Sequence, residues 1–327
     1  MNMQTTTRVQ IDYAFPGQDI GDAAENPASL LENLETSHDA RADSAVMLRL
    51  AACRSLRGAR ETNQDIAVAL ELDVQHFERV TLLAQADGMG GQPAGEVASR
   101  EAVRALHCSF EKNLLEAAQG QGRGDVADWL RSGFQAANRW LLTYAGSHPD
   151  CAGMGTTLCA AVAAEGRLYT AGIGDSRLYL YRGGCAHQLT TDDSYPWLLV
   201  DQGILTPEEA ETHPTGHMLT RYIGDPNGLD DVFVGVHALA PGDLVLAVTD
   251  GVWKDGGEEL AWFAEILARA SFGQASLDAA VSCLLERALA RGATDNVSAA
   301  AFWVAPDGRD AARAPQPANE TLAPEED

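Results

Sequence analysis

Five aspartates stand where short apolar runs begin or end. Leu82-Leu83-Ala84-Gln85-Ala86 runs into Asp87-Gly88, and Leu244-Val245-Leu246-Ala247-Val248-Thr249 runs into Asp250-Gly251. Tyr169-Thr170-Ala171-Gly172-Ile173-Gly174 leads to Asp175, Asp295-Asn296 precedes a last apolar run, and Asp65 precedes Ile66-Ala67-Val68-Ala69. Taken singly, each is ordinary turn chemistry. Brought together they are not, because two carboxylates about 4 Å apart repel by about 4 kcal/mol at an effective dielectric of about 20. A converging set therefore needs cations or protons. With no His or Cys among the donors, the pattern suits hard ions that accept about six oxygens, chiefly Mg²⁺ and Mn²⁺. Neighbouring glycines leave space for a backbone carbonyl and water to approach. Two such ions about 3.5–4 Å apart can activate a water and clamp a phosphoryl oxygen for in-line displacement.

Rival chemistries fail on residue type. Gly88-Met89-Gly90 stands between an apolar run and a helical pattern, as a dinucleotide fingerprint does, but Pro93 holds the third glycine position and Asp87 would oppose a pyrophosphate. There is no P-loop lysine and no G-x-S-x-G elbow.

The elements that must position these acids are legible as periodicity. Val103, Leu106, Phe110 and Leu114 mark one helix within residues 92–116. Val126, Trp129, Leu130, Phe134, Ala137, Trp140, Leu141 and Tyr144 mark a second, read as a core face throughout. A third runs from Ser276 as N-cap through Leu277, Val281, Leu284 and Ala288 to a stop at Gly292. Strands are expected over 80–86, 157–163, 167–173, 177–181, 244–249 and 297–304. The middle three are joined by short Gly-containing links, which favours an antiparallel meander. Meander plus amphipathic helices predicts an α+β fold.

The bulk composition narrows the class. A chain with 46% hydrophobic and 21% charged residues is an ordinary globular protein able to bury a core. Residues 1–45 and 306–327 read as flexible tails around one catalytic domain, 46–305. A net charge of −24 weighs against nucleic acid and anionic membranes. No apolar run reaches membrane-span length and no secretory signal is visible, so a cytoplasmic location is expected. The six cysteines form no C-x-x-C pair and read as buried, reduced thiols.

In order, the chain shows RGARETNQD, ADGMGG, GMGTT, GIGDSR, a connector ending HMLTRYIG, then VTDGVW and ATDN. From about Cys53 to Val304 this resembles the metal-dependent protein phosphatase family, type 2C, in its compact bacterial form. The resemblance implies an α-β-β-α sandwich that hydrolyses phosphoserine and phosphothreonine in proteins by a hydroxide bridging two Mn²⁺ or Mg²⁺ ions. It implies that Asp87 bridges both ions, that Gly88 offers its carbonyl to one, and that Asp250 and Asp295 bind the other. Asp65 would act through bound water, Arg60 would grip the substrate phosphate, and Asp175 would help hold a third, weaker metal. Implied partners are phosphorylated proteins and a cognate serine/threonine kinase, with the chain acting as a monomer. Gln64 stands where the family's Asn-Glu-Asp has its acid. Met89 cannot donate a proton as the histidine of eukaryotic relatives can, so the leaving alcohol takes one from elsewhere. Lys254 stands where relatives carry an acid after the second Asp-Gly. The connector, residues 192–224, resembles the family's flap, in which His213 and His217 read as solvated or capping residues, with a proton-donor role as the alternative. Thr156 and Thr157 read as hydrogen-bonding residues, and Arg177 and Arg221 as structural charges. The alternative is a non-catalytic scaffold of the same fold.

Overall fold

The structure is a computed structural model that describes residues 49–72, 80–89, 94–121, 125–229, 231–254 and 274–305. Both expected tails lie outside the described residues. The strands are β1 (Arg49–Leu56), β2 (Asp65–Leu72), β3 (Val80–Asp87), β4 (Leu158–Ala164), β5 (Arg167–Ile173), β6 (Arg177–Arg182), β7 (Cys185–Gln188), β8 (Gly235–Ala238), β9 (Leu244–Val248) and β10 (Val297–Val304). The helices are α1 (Gly95–Ala118), α2 (Val126–Ser147), α3 (Tyr195–Asp201), α4 (Pro207–Glu211), α5 (Asp250–Trp253) and α6 (Gln274–Ala290).

Two five-stranded antiparallel sheets form, ordered β1-β10-β9-β6-β7 and β2-β3-β4-β5-β8. Alternation along β4 shows how they stack. Leu158, Ala160 and Val162 face a core shared with Leu106 and Phe110 of α1 and with Phe134 of α2. Cys159, Ala161 and Ala163 face Ala247 and Phe302 of the other sheet. On the far side, Val297, Ala299 and Ala301 of β10 pack against Val281, Leu284 and Leu285 of α6. With both faces covered, these strands are continuous apolar runs, and the alanines and cysteines between the sheets allow close stacking. The result is the α-β-β-α sandwich.

Several expectations need correction. β4 and β5 pair, but β6 belongs to the other sheet, so the three runs are not one meander. The link Gly174-Asp175-Ser176 crosses between sheets; Gly174 has φ +95° and lies against the Thr157 side chain, a place where a Cβ would be strained twice over. Ser276 lies inside α6 rather than before it. Helix α6 does end at Gly292, with φ +101° and N–H donors of Gly292 and Ala293 returning to Leu289 and Ala288, a Schellman stop. Trp140 is 40% exposed and donates to Glu101 at 2.9 Å, so the α2 core stripe excludes it. Among the described residues no cysteine is in a disulfide, but only Cys53, Cys151 and Cys159 are buried; Cys108, Cys185 and Cys283 are exposed.

Candidate metal centre

The antiparallel register of β2 and β3 sets Asp65 directly opposite Asp87. Two acids thus reach the same sheet end through strand pairing alone. The Asp87 backbone is tied on both sides. Its N–H donates to Thr157 Oγ1 at 2.9 Å, while its carbonyl accepts from the Thr157 N–H at 2.9 Å and the Thr156 hydroxyl at 2.7 Å. Thr156 and Thr157 therefore hold the acid's backbone. Gly88 donates to the Gln64 carbonyl at 3.0 Å, and a Cβ on Gly88 would collide with the Gly95 backbone at the start of α1.

The opposite sheet supplies the remaining acids. Asp250 opens α5 directly after β9. A Cβ on Gly251 would collide with the Asn296 carbonyl, so close backbone approach sets Asp250 beside Asp295, just ahead of β10. Asp175 sits on the link between sheets, 5% exposed, its carbonyl held by Trp253 Nε1 at 3.0 Å. Trp253 in turn carries the Arg177 guanidinium 3.5 Å above its ring, and Arg177 pairs with buried Asp192 at 2.7 Å. Arg221 pairs with Asp193. Both arginines are structural charges.

Arg60, Asp87, Gly88, Asp175, Asp250 and Asp295 line one cleft of about 450 Å³, lined on the connector side by His217, Met218, Leu219 and Tyr222. Asp65 lies behind this lining, 4% exposed. Its Oδ2 accepts from Thr249 Oγ1 at 2.8 Å and Ser298 Oγ at 2.7 Å, hydroxyls of the opposing sheet. His213 is a turn residue bonded to Thr215 Oγ1 at 2.9 Å.

Burial dominates the electrostatics. It raises Asp87 well above the usual carboxylate range, with Asp65 and Asp250 adding repulsion. It raises Asp175 likewise, with Asp250 and Asp192 adding to the rise and Lys254 opposing it. Asp65 is pushed up to about 7, again by burial, against the two hydroxyl bonds. Asp250 is raised by burial and by Asp295, opposed by Lys254 and by a hydrogen bond with Asp87. Ionised together, these groups are unstable without nearby positive charge.

The donor set fits hard divalent cations. It is all oxygen, and two buried carboxylate oxygens, Asp65 Oδ1 and Asp250 Oδ1, have no hydrogen-bond partner among the described residues. Among the described residues no three His, Cys, Asp or Glu side chains close on one point as a ready cage. The acids instead ring the cleft, with Asp295 turned onto Arg60 at 2.7 Å and Asp250 toward Lys254 at 3.5 Å. That arrangement suits ions that keep several waters, as Mg²⁺ does.

Residue types alone left three supports unassigned. Asn296 donates through Nδ2 to the carbonyls of Arg57 at 2.7 Å and Thr62 at 2.9 Å. Its Oδ1 accepts the Gln64 N–H at 2.9 Å, so it fastens the segment that carries Arg60. Thr249 and Ser298 clamp Asp65. Asn296 stands in the ATDN motif, which was its only signal; serine and threonine on strands carry none.

A sandwich of two antiparallel sheets between helices, with acids gathered at one end of the intersheet gap, defines a protein phosphatase 2C domain. The family model of that description matches residues 54–286, and the chain belongs to the family. It is similar to the serine/threonine protein phosphatase PstP of Mycobacterium tuberculosis, 36% identical over 253 residues, 77% of this chain and 44% of that protein. The chain thus spans less than half the length of that relative. A crystal structure of the M. tuberculosis phosphatase superposes with a TM-score of 0.66 at 32% identity, covering 79% of this chain and 99% of the crystallised one. A structure of the PstP catalytic domain in complex with two manganese ions gives a TM-score of 0.62 at 32% identity, over 79% and 99% of the two chains.

Proposed function

We propose that this chain is a metal-dependent phosphatase that hydrolyses phosphoserine and phosphothreonine in proteins. The observation that carries the reading is the convergence of Asp87, Asp250 and Asp295 with Arg60 in one cleft. Asp87 with the Gly88 carbonyl, and Asp250 with Asp295, are the residues that would hold two Mn²⁺ or Mg²⁺ ions. When bound, such ions supply an acidified water and positive charge for the phosphoryl oxygens. The chain's own residues do the rest. Thr156 and Thr157 fix the Asp87 backbone, Asp65 supports the centre from behind, and Asp175 borders it. The Arg60 guanidinium offers a planar fork of donors to a phosphate. The connector residues Leu219 and Tyr222 form one wall of the cleft.

The substrate class follows from family membership, and the net charge of −24 disfavours nucleic-acid partners. Among the described residues no helix is long and apolar enough to cross a membrane. Within the same proposal, and resting on the family membership, the chain opposes a serine/threonine kinase in bacterial signalling as a cytoplasmic monomer. The test is turnover by purified protein of a phosphothreonine peptide and of a small aryl phosphate. Activity is expected with Mn²⁺, not after metal stripping, and Asp250→Asn should lower it at least about a hundredfold, beyond the effect typical of residues that merely support a metal ligand. Manganese-replete protein that turns over neither substrate overturns the reading in favour of a scaffold.

A further inference from the structure

Lys254 sets a positive charge beside the acids of the centre. It follows α5 by one residue, so its side chain returns along the helix to Asp250, one turn earlier, with Nζ 3.5 Å from Oδ2. Its stem passes beside Gly216 of the connector. Trp253, the residue before it, bonds the Asp175 carbonyl, so the same short helix sets the ammonium near Asp175 as well. Asp175 and Asp250 repel one another, and the Lys254 charge opposes the upward push on both.

Charge balance shows what this does. Asp65, Asp87, Asp175, Asp250 and Asp295 bring minus five when ionised, Arg60 and Lys254 bring plus two, and minus three remains. Two divalent ions bring plus four and more than neutralise it. A third ion would enter a centre already positive and would have to sit against the Lys254 ammonium, with like charges at close range in a partly buried site.

We propose that Lys254 is an internal cation that stands in for a metal between Asp250 and Asp175, limiting this centre to two divalent ions. The inference rests on the two-metal phosphatase reading above. Its test is Mn²⁺ stoichiometry, measured by isothermal titration calorimetry on the metal-stripped full chain, which needs no turnover. The wild type should take up two equivalents. Lys254→Met, which keeps the stem without the charge, should take up a third and weaker one, and Lys254→Asp a third at higher affinity. Adding Asp175→Asn to Lys254→Met should return the count to two. Three equivalents in the wild type, or two in both single variants, overturn the proposal while leaving the phosphatase reading intact. No Mn²⁺ uptake by folded wild type removes the two-metal reading, and the proposal falls with it. A circular-dichroism spectrum and melting curve for each variant shows that the count is taken on folded protein.

Discussion

At the scale of single residues, Arg60 occupies two roles that a substitution can separate. Its pair with Asp295 is exposed, with 49% of the arginine side chain open to solvent, and such pairs are worth about 0–1 kcal/mol. Arg60→Ala should therefore leave the melting temperature nearly unchanged. A hydrogen bond to a charged group is worth about 1.5–3 kcal/mol, so kcat/KM for a phosphopeptide should fall by roughly 10- to 150-fold, mostly through KM. Lysine should recover little of it, because an ammonium lacks the two-pronged geometry. Releasing Asp295 from the guanidinium should also lower the Mn²⁺ concentration needed for half-activation. Steady-state kinetics with varied peptide and varied Mn²⁺ checks both effects; an unchanged KM would remove Arg60 from phosphate binding.

At the scale of elements, the start of β10 is a fastening point. Asn296 is 4% exposed and makes three hydrogen bonds to the backbone between β1 and β2. At about 1 kcal/mol net for each bond, Asn296→Ala should destabilise the fold by roughly 3 kcal/mol. Asn296→Asp keeps an acceptor for the Gln64 N–H but loses both donors. Chemical denaturation gives the stability, and kcat/KM measured well below the melting temperature should still be reduced, because Arg60 rides on the released segment. Full activity in the alanine variant at that temperature would show that the segment holds Arg60 without this anchor. Such elements were unevenly legible. Helices α1, α2 and α6 advertise themselves because a one-sided apolar stripe survives in the sequence. Strand β1, with arginines at positions 49 and 54, and the four-residue edge strands β7 and β8 carry too little alternation to be read. The β5–β6 link looks like a hairpin because Gly174 and Asp175 are hairpin residues; that it crosses between sheets is decided by which core β6 joins, a non-local fact. The acids of the site were legible for the same reason that Asn296, Thr249 and Ser298 were not. Five carboxylates at the ends of apolar runs make a repeated pattern, whereas a hydroxyl or amide that supports them is commonplace.

At the scale of the whole molecule, the site works against the fold that holds it. Asp65, Asp87, Asp175 and Asp250 all have pKa values raised by burial above that of an ordinary carboxyl. A group whose folded pKa is raised contributes stability that is complete below its unfolded pKa and is lost as pH climbs through the folded one. For Asp65 that loss runs from the ordinary value of 3.8 up to about 7. Metal-stripped protein should thus become less stable across this interval, and Mn²⁺, which binds the ionised form, should restore what is lost. Half-buried His107 is shifted the opposite way, but it lies on α1 beside Glu111 and contributes equally with and without metal. The informative quantity is therefore the difference in melting temperature between Mn²⁺-loaded and metal-stripped protein at each pH. Carboxylates of ordinary pKa are almost fully ionised by about pH 5, so they would give a difference that is flat from there upward. Asp65 alone predicts a difference that keeps growing to about pH 7, and the other raised acids act in the same direction. Differential scanning fluorimetry at fixed free Mn²⁺ between pH 5 and pH 8 separates the two, and a flat difference would mean that the acids are better solvated than the packing of the sheet ends implies.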